Sequence, residues 1–284
     1  MGEEENKTIN MELYYGAYDG EAREAIKDEK IEGLDLTGLP IKVDIANIDQ
    51  YSNEEYALLR KNGLGGSDSS CILNVNPYKS RAELIQEKAR TYLTEEEKAV
   101  GDKVPVRKGR DLEPLIIEKA NKYLGIETIK PKDMYVFKDY PYLKMNFDGV
   151  GKLPKGSPKK YIPIEIKVVT VYGQKHYDPN KAFYIEGEGF QAPPPNYADS
   201  EINTIETKAL QYGIPPYYYT QLQNQMMALD ADYGLLSVLF DKDWKFYSFY
   251  VHPDYRLWSR LITEGYKVWQ EVIKLNPNKK LEGM

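Results

Sequence analysis

The run Ile162-Pro163-Ile164-Glu165-Ile166-Lys167-Val168-Val169 sets a carboxylate and an ammonium two residues apart in an otherwise apolar stretch. Alternation along a strand puts Glu165 and Lys167 on one face and Ile164, Ile166 and Val168 on the other. By itself Glu-x-Lys also describes an edge strand with one wet face. A second carboxylate, Asp148 in Asn146-Phe147-Asp148-Gly149, lies 17 residues upstream at the end of another strand-like run. If the two strands pair as a hairpin, both carboxylates converge at one end of a sheet. Hard divalent cations such as Mg²⁺ take oxygen ligands, keep several waters, and are held by one or two carboxylates plus a substrate phosphate. Asp148 and Glu165 suit that role. Lys167 beside them can orient or deprotonate a water and offset charge on a phosphorus under attack. The chemistry on offer is metal-assisted cleavage of a phosphodiester.

The elements that must position these groups are legible from caps and periods. Ser52 with Glu55 forms a capping box for a short helix to about Lys61, stopped by Asn62-Gly63. After Gly63-Leu64-Gly65-Gly66 a second short helix runs from Ser67 or Asp68 to Leu73, followed by a turn at Asn76-Pro77-Tyr78. Ser80 and Glu83 cap a further helix to about Tyr92, and residues 93–106 read as a charged loop. Leu112, Leu115, Ile116, Ala120 and Leu124 recur at helical spacing, predicting a helix over 111–124 with Pro114 in its first turn and Gly125 as its stop. The period then changes to two, with strands at 135–137, 142–148 and 162–171, the last two joined by a Gly/Pro/Lys-rich connection over 149–161. A helix from Pro215-Pro216 carries Leu222, Met226 and Leu229 on one face; strands 233–240 and 244–251 form a hairpin, and a last helix runs from Pro253 to about Leu275. This order predicts an α/β domain of helices layered on a sheet. Residues 172–214, with Pro193-Pro194-Pro195, show no clear period and read as an insertion or lid.

Composition narrows the function classes. The 284 residues contain one cysteine, Cys71, which excludes a disulfide framework, a four-cysteine cluster and a zinc ribbon; two histidines, His176 and His252, argue against a histidine-built metal centre. Metal chemistry here must run on carboxylates. The net charge of −6 conceals an asymmetry: residues 1–59 hold 15 Asp/Glu against 5 Lys/Arg, leaving residues 60–284 with a net of +4. The acidic excess marks residues 1–55 as an N-terminal extension, either a solvated or packing arm or an autoinhibitory one, ahead of a domain over 56–284. No stretch approaches the roughly 18 consecutive apolar residues of a membrane span. The acidic opening Met1-Gly2-Glu3-Glu4-Glu5 is unlike a signal peptide, so the expectation is a cytoplasmic protein with no membrane partner.

Four blocks in order carry a family resemblance: Arg60 with Gly63-Leu64-Gly65-Gly66-Ser67-Asp68 and Asn76-Pro77-Tyr78; Arg107-Lys108-Gly109 with Leu112-Glu113-Pro114; Asp148-Gly149 with Glu165-Ile166-Lys167; and Tyr218 with Gln221-Leu222-Gln223. Over about residues 56–250 the sequence resembles the YqaJ-type viral recombinases, relatives of the phage lambda exonuclease within the PD-(D/E)xK nuclease superfamily. The resemblance implies a restriction-endonuclease-like core, a central mixed β-sheet flanked by helices. It also implies an Mg²⁺-dependent exonuclease, with Mn²⁺ as substitute, that degrades linear double-stranded DNA 5′ to 3′. Such an enzyme releases 5′-phosphomononucleotides and leaves 3′ single-stranded tails for annealing. A homotrimer around DNA ends and a RecT-like single-strand annealing partner are implied with it.

Mapped onto this chain, the expected catalytic set is Asp148, Glu165, Lys167, Glu113 and Gln221. The expected metal set is Asp148, Glu165, Glu113 and the Ile166 carbonyl. The expected DNA contacts are Arg60, Gly65, Gly66, Ser67, Tyr218 and Gln223. Each has a plainer reading as well. Gly65-Gly66-Ser67 at a helix start lets amides approach a terminal phosphate, with Arg60 converging, yet it also fits a glycine turn and an ordinary N-cap. Glu113 in a first turn also compensates the helix dipole. Tyr218 and Gln221 share a helix face that is otherwise merely exposed. Two rival functions stand beside the exonuclease: a sequence- or structure-specific endonuclease of the same superfamily, and a non-catalytic DNA-binding or anti-restriction protein on a nuclease fold. No Walker loop is present, so no ATP-driven motor is expected.

Overall fold

A strand at Ile41–Ile45 (β1) is the first regular element among the residues that the computed structural model describes, 33–197 and 204–281. Helix Asn53–Arg60 (α1) follows, then a 3₁₀ turn at Gly66–Asp68, helices Ser69–Ile72 (α2), Arg81–Ala89 (α3) and Glu95–Lys98 (α4), and the long helix Val104–Leu124 (α5). Next come strands Glu127–Ile129 (β2), Met134–Phe137 (β3), Lys144–Met145 (β4), Gly149–Lys152 (β5) and Tyr161–Val169 (β6). Helix Val171–Gln174 (α6) and the hairpin Tyr184–Ile185 (β7) and Gly189–Phe190 (β8) lead to helices Ile205–Tyr212 (α7) and Pro216–Leu229 (α8). Strands Gly234–Phe240 (β9) and Phe246–Val251 (β10) and helix Tyr255–Leu275 (α9) complete the fold.

The principal sheet has seven strands in the order β2-β5-β6-β9-β10-β7-β8; β6 and β9 run parallel and the other neighbours antiparallel. It is the mixed sheet flanked by helices that the sequence leads one to expect. Along β6 the alternation acts as a sorting device. Ile162, Ile164 and Ile166 pack with Leu112, Ile116, Ile117 and Ala120 of α5, while Leu236 and Val238 on the opposite face join Leu222 and Met226 of α8 in a second core, with Trp269 of α9 beyond that helix. With β5 on one side and β9 on the other, β6 is central and covered on both faces. The edge-strand reading of Glu-x-Lys is thereby removed.

The capping boxes at Ser52/Glu55 and Ser80/Glu83 form as expected, each with reciprocal side-chain and backbone bonds. Elsewhere local pattern gave way to tertiary context. The charged stretch 93–106 holds α4, capped by Thr94 with Glu97, and the first three residues of α5. That helix starts at Val104, so Pro114 lies in its interior, where it withholds one amide from the ladder. Its N-terminal turns are largely exposed and carry no apolar period, which is why the pattern begins only at Leu112. The run 142–148 pairs over Lys144–Met145 alone, and the first residues of the 149–161 connection are β5. Segment 172–214 contains β7, β8 and α7; its hairpin extends the principal sheet beyond β10, and residues 198–203 lie outside the described residues.

The N-terminal acidic stretch falls partly outside the described residues, since residues 1–32 are among those left out. From residue 33 onward its three aspartates are paired with lysines of the domain: Asp35 with Lys160 at 2.7 Å, Asp44 with Lys144 at 2.6 Å and Asp49 with Lys132 at 2.6 Å. β1 joins β3 and β4 in a second, three-stranded sheet. Among the described residues no helix is long and apolar enough to cross a membrane.

Candidate active site

Register brings the acidic groups together. β5 pairs antiparallel with β6, Gly149 opposite Ile164, so Asp148 arrives beside the Glu165-Ile166-Lys167 segment. A side chain at 149 would collide with Thr128, whose Cγ2 would stand 2.9 Å from the added Cβ, so the turn into β5 requires glycine. Asp148 Oδ2 accepts from the Ile166 amide at 3.1 Å and from Lys167 Nζ at 3.1 Å. Lys167 Nζ also forms an ion pair with Glu165 Oε1 and lies 5.5 Å from the centre of the Tyr218 ring. One ammonium therefore joins two carboxylates over an aromatic face.

Glu165 is fully buried, and Gln225 of α8 donates from Nε2 to its Oε2 at 2.6 Å. Burial, reinforced by the Asp148 charge, pushes the Glu165 carboxyl up to about 7 against the pull of Lys167 and Gln225. Burial works the other way on Lys167, but the Asp148 and Glu165 charges outweigh it and hold the ammonium protonated well above the ordinary lysine range. In this arrangement the Lys167 ammonium is shared by the two carboxylates. Glu113 on α5 is raised by burial, pulled back by Lys130 at 2.8 Å, and raised again by Asp148. It lies within electrostatic reach of the other carboxylates while bonded elsewhere.

Among the described residues no group of three or more His, Cys, Asp or Glu side chains is gathered to hold a metal ion. Glu113 is bonded to Lys130, and Lys167 occupies the space between the other two carboxylates. The donor set nonetheless suits a hard cation. Two carboxylates already surround one positive charge, and Gln225 Oε1 beside them is a buried oxygen with no hydrogen-bond partner among the described residues.

The second cluster forms where α1 meets the 3₁₀ turn: Arg60 Nη2 donates to Ser67 Oγ at 3.1 Å. The Gly65 amide, expected to face an anion, instead donates to Asp68 Oδ2 at 2.8 Å, and Asp68 pairs with the buried Lys88 at 2.7 Å. Gly65 thus closes its own turn, because an acid three residues on captures its N–H first. At Gly66 an added Cβ would lie 3.2 Å from Met145 Sδ and 3.8 Å from Gln221 Cγ, so the turn packs directly on α8 beside Gln221.

Helix α8 is thus the common wall. Tyr218 lies under Lys167, Gln221 touches the Gly66 turn, and Gln225 holds Glu165. Gln223 was expected to contact DNA, but it is fully buried on another face of the helix. Its Nε2 donates to the His252 carbonyl at 2.7 Å, and its Oε1 accepts from the Asp254 amide and Trp258 Nε1, both at 2.8 Å. Gln225 is the residue that sequence reasoning missed. Its spacing of four from Gln221 and seven from Tyr218 was the available signal.

Comparison with known proteins agrees with this architecture. Residues 55–232 match the family model of the YqaJ-like viral recombinase domain. An alkaline exonuclease from Laribacter hongkongensis superposes with a TM-score of 0.50 at 16% identity, covering 80% of this chain and 96% of that one. The same protein in complex with dAMP gives 0.47 at 16% identity with the same coverage, and a phage-related exonuclease from Haemophilus somnus 129PT gives 0.42 at 14%, covering 77% of this chain and 96% of that one. At 16% identity the likeness to the uncomplexed Laribacter hongkongensis enzyme speaks to the fold alone. No curated protein matches the chain in sequence.

Proposed function

We propose, because the chain belongs to the YqaJ-like viral recombinase family and brings Asp148, Glu165 and Lys167 to one point, that it is a phage-type exonuclease acting on linear double-stranded DNA. The observation that carries the reading is the convergence of both carboxylates on the Lys167 ammonium across the β5–β6 pair. Asp148, Glu165, the Ile166 carbonyl and Glu113 are the groups that would hold Mg²⁺, with Mn²⁺ as substitute. The metal, when bound, supplies Lewis-acid polarisation of the scissile phosphate and a more acidic water.

The chain's own groups do the rest. Lys167 places a permanent positive charge where negative charge grows on the phosphoryl oxygens. Gln225 fixes the Glu165 carboxylate by one short bond, and Tyr218 holds the Lys167 stem from below. Arg60 and Ser67 offer cationic and hydroxyl donors for a 5′-terminal phosphate, which favours attack from an end. The family further suggests 5′-to-3′ resection with release of 5′-mononucleotides and 3′ tails passed to a RecT-like annealing protein, by a homotrimer whose nuclease domain spans residues 56–284.

The deciding experiment incubates the pure protein with linear and closed circular duplex DNA, with Mg²⁺ or with a chelator. Loss of the linear DNA alone, only with metal, is the expected result. Cutting of closed circles would replace the exonuclease by an endonuclease, and inertness on both would remove the catalytic reading.

A further inference from the structure

A chain of tyrosines leads from the half-buried Lys167 ammonium to the surface. Tyr218, under Lys167, meets Tyr217 edge-on with ring centres 4.5 Å apart, and Tyr217 meets Tyr78 in a T-shaped contact at 5.8 Å. Tyr78 ends the series 76% exposed. Its ring is open to solvent at one end of a series whose other end is the Lys167 ammonium.

Its presentation is built. Asn76 Oδ1 accepts from the Tyr78 amide at 2.8 Å and the Lys79 amide at 3.0 Å, and Asn76 Nδ2 donates to Ser70 Oγ at 2.8 Å. Ser70 is buried in α2 directly after the Gly66–Asp68 turn, and Pro77 restricts the backbone between the two bonded residues. The turn that carries Tyr78 is thereby anchored to the element that carries Ser67, and its ring rests on the helix that lines the carboxylates.

Tyrosine faces stack on unpaired bases without regard to sequence, and each such contact contributes enough to change binding by about tenfold. We infer that Tyr78, backed by Tyr217, is a stacking platform for an unpaired base near the 5′ end, positioning the strand between the Arg60–Ser67 pair and Lys167. This rests on the nuclease reading above. It assigns to an exposed side chain outside the catalytic cluster the job of holding the melted strand in register.

The test couples the side chain to the base. Three 5′-phosphorylated linear duplexes each carry one abasic nucleotide, at the first, second or third position of the degraded strand, and kcat/KM is measured beside the intact duplex. The wild-type protein is expected to lose about tenfold at one of these positions. Tyr78→Ala should lose about the same factor on intact DNA and suffer no further loss at that position. Tyr78→Phe, which keeps the ring, should behave as wild type. Because the ring is mostly in solvent, these variants should fold, which far-ultraviolet circular dichroism checks.

The platform is overturned if Tyr78→Ala keeps wild-type activity on intact DNA. It is equally overturned if Tyr78→Ala shows the same abasic penalties as wild type, or if wild type shows no penalty anywhere. Failure of the wild-type protein to cleave at all would instead overturn the nuclease reading, and the platform with it.

Discussion

Two glutamines on α8, two residues apart, should both lose stability when replaced by leucine, but only one of the two replacements should lose turnover. Gln225 donates to the buried Glu165 carboxylate at 2.6 Å, a charge-assisted bond of the kind that contributes about 1.5–3 kcal/mol. Leucine has nearly the same volume, so little cavity cost is added. Urea unfolding of Gln225→Leu, followed by tryptophan fluorescence, should therefore show a loss of about 1.5–3 kcal/mol. Turnover per folded molecule should fall by about 10- to 100-fold, the usual effect of removing a group that orients a metal-binding or reacting carboxylate. Gln223 makes bonds to the His252 carbonyl, the Asp254 amide and Trp258 Nε1, all of them structural. Gln223→Leu should cost about 2–4 kcal/mol of stability and leave turnover per folded molecule unchanged. Single-turnover cleavage of an end-labelled duplex, normalised to the folded fraction, reads the difference. Wild-type turnover in Gln225→Leu, or an equal loss in Gln223→Leu, would refute the assignment of the two faces.

Glu165→Gln and Lys167→Ala should abolish cleavage while gel-shift binding of duplex DNA persists; substantial turnover in either would remove the Asp…Glu-x-Lys centre. Cleavage should require Mg²⁺ or Mn²⁺, whereas Ca²⁺ should bind without rapid turnover because its looser coordination positions water poorly; full activity in a chelator would contradict this. A duplex with 5′-phosphate ends should be degraded faster than one with 5′-hydroxyl ends, and Arg60→Ala or Ser67→Ala should shrink the difference; equal rates would eliminate the terminal-phosphate contact. Burial raises the Glu97 carboxyl, but Lys61, the Thr94 amide and Arg90 outweigh it and bring the group down to about 2 from an ordinary 4.5. A carboxyl lowered on folding stabilises above its unfolded value, and that contribution is lost as pH falls from about 4.5 toward 2. Glu97→Gln should therefore be less stable than wild type at pH 7 and show a shallower acid loss over that window; parallel stability-versus-pH curves would count against it.

The helix starts at Ser52 and Ser80, the stop at Gly125, the alternation along β6 and the hairpin of β9 with β10 are all legible in the sequence, because each is decided by partners a few residues away. So is the clustering of Asp148 with Glu165 and Lys167, and of Arg60 with Ser67, because their residue types and their places at strand and helix ends offered both groupings. What lay beyond local reading depended on contacts between distant segments. β1 pairs with β3 about ninety residues on, so part of an acidic extension becomes sheet. β6 takes neighbours on both edges, so an acid that alternation alone would leave on a wet face is fully buried and raised in pKa. Helical spacing offers Gln221, Gln223 and Gln225 as similar polar side chains, and only the packing of α8 between the sheet and α9 turns Gln225 to Glu165 and Gln223 to Trp258. Distant packing decides these because a polar side chain bonds to whatever acceptor or donor the fold brings beside it, and residues two apart on a helix face different neighbours.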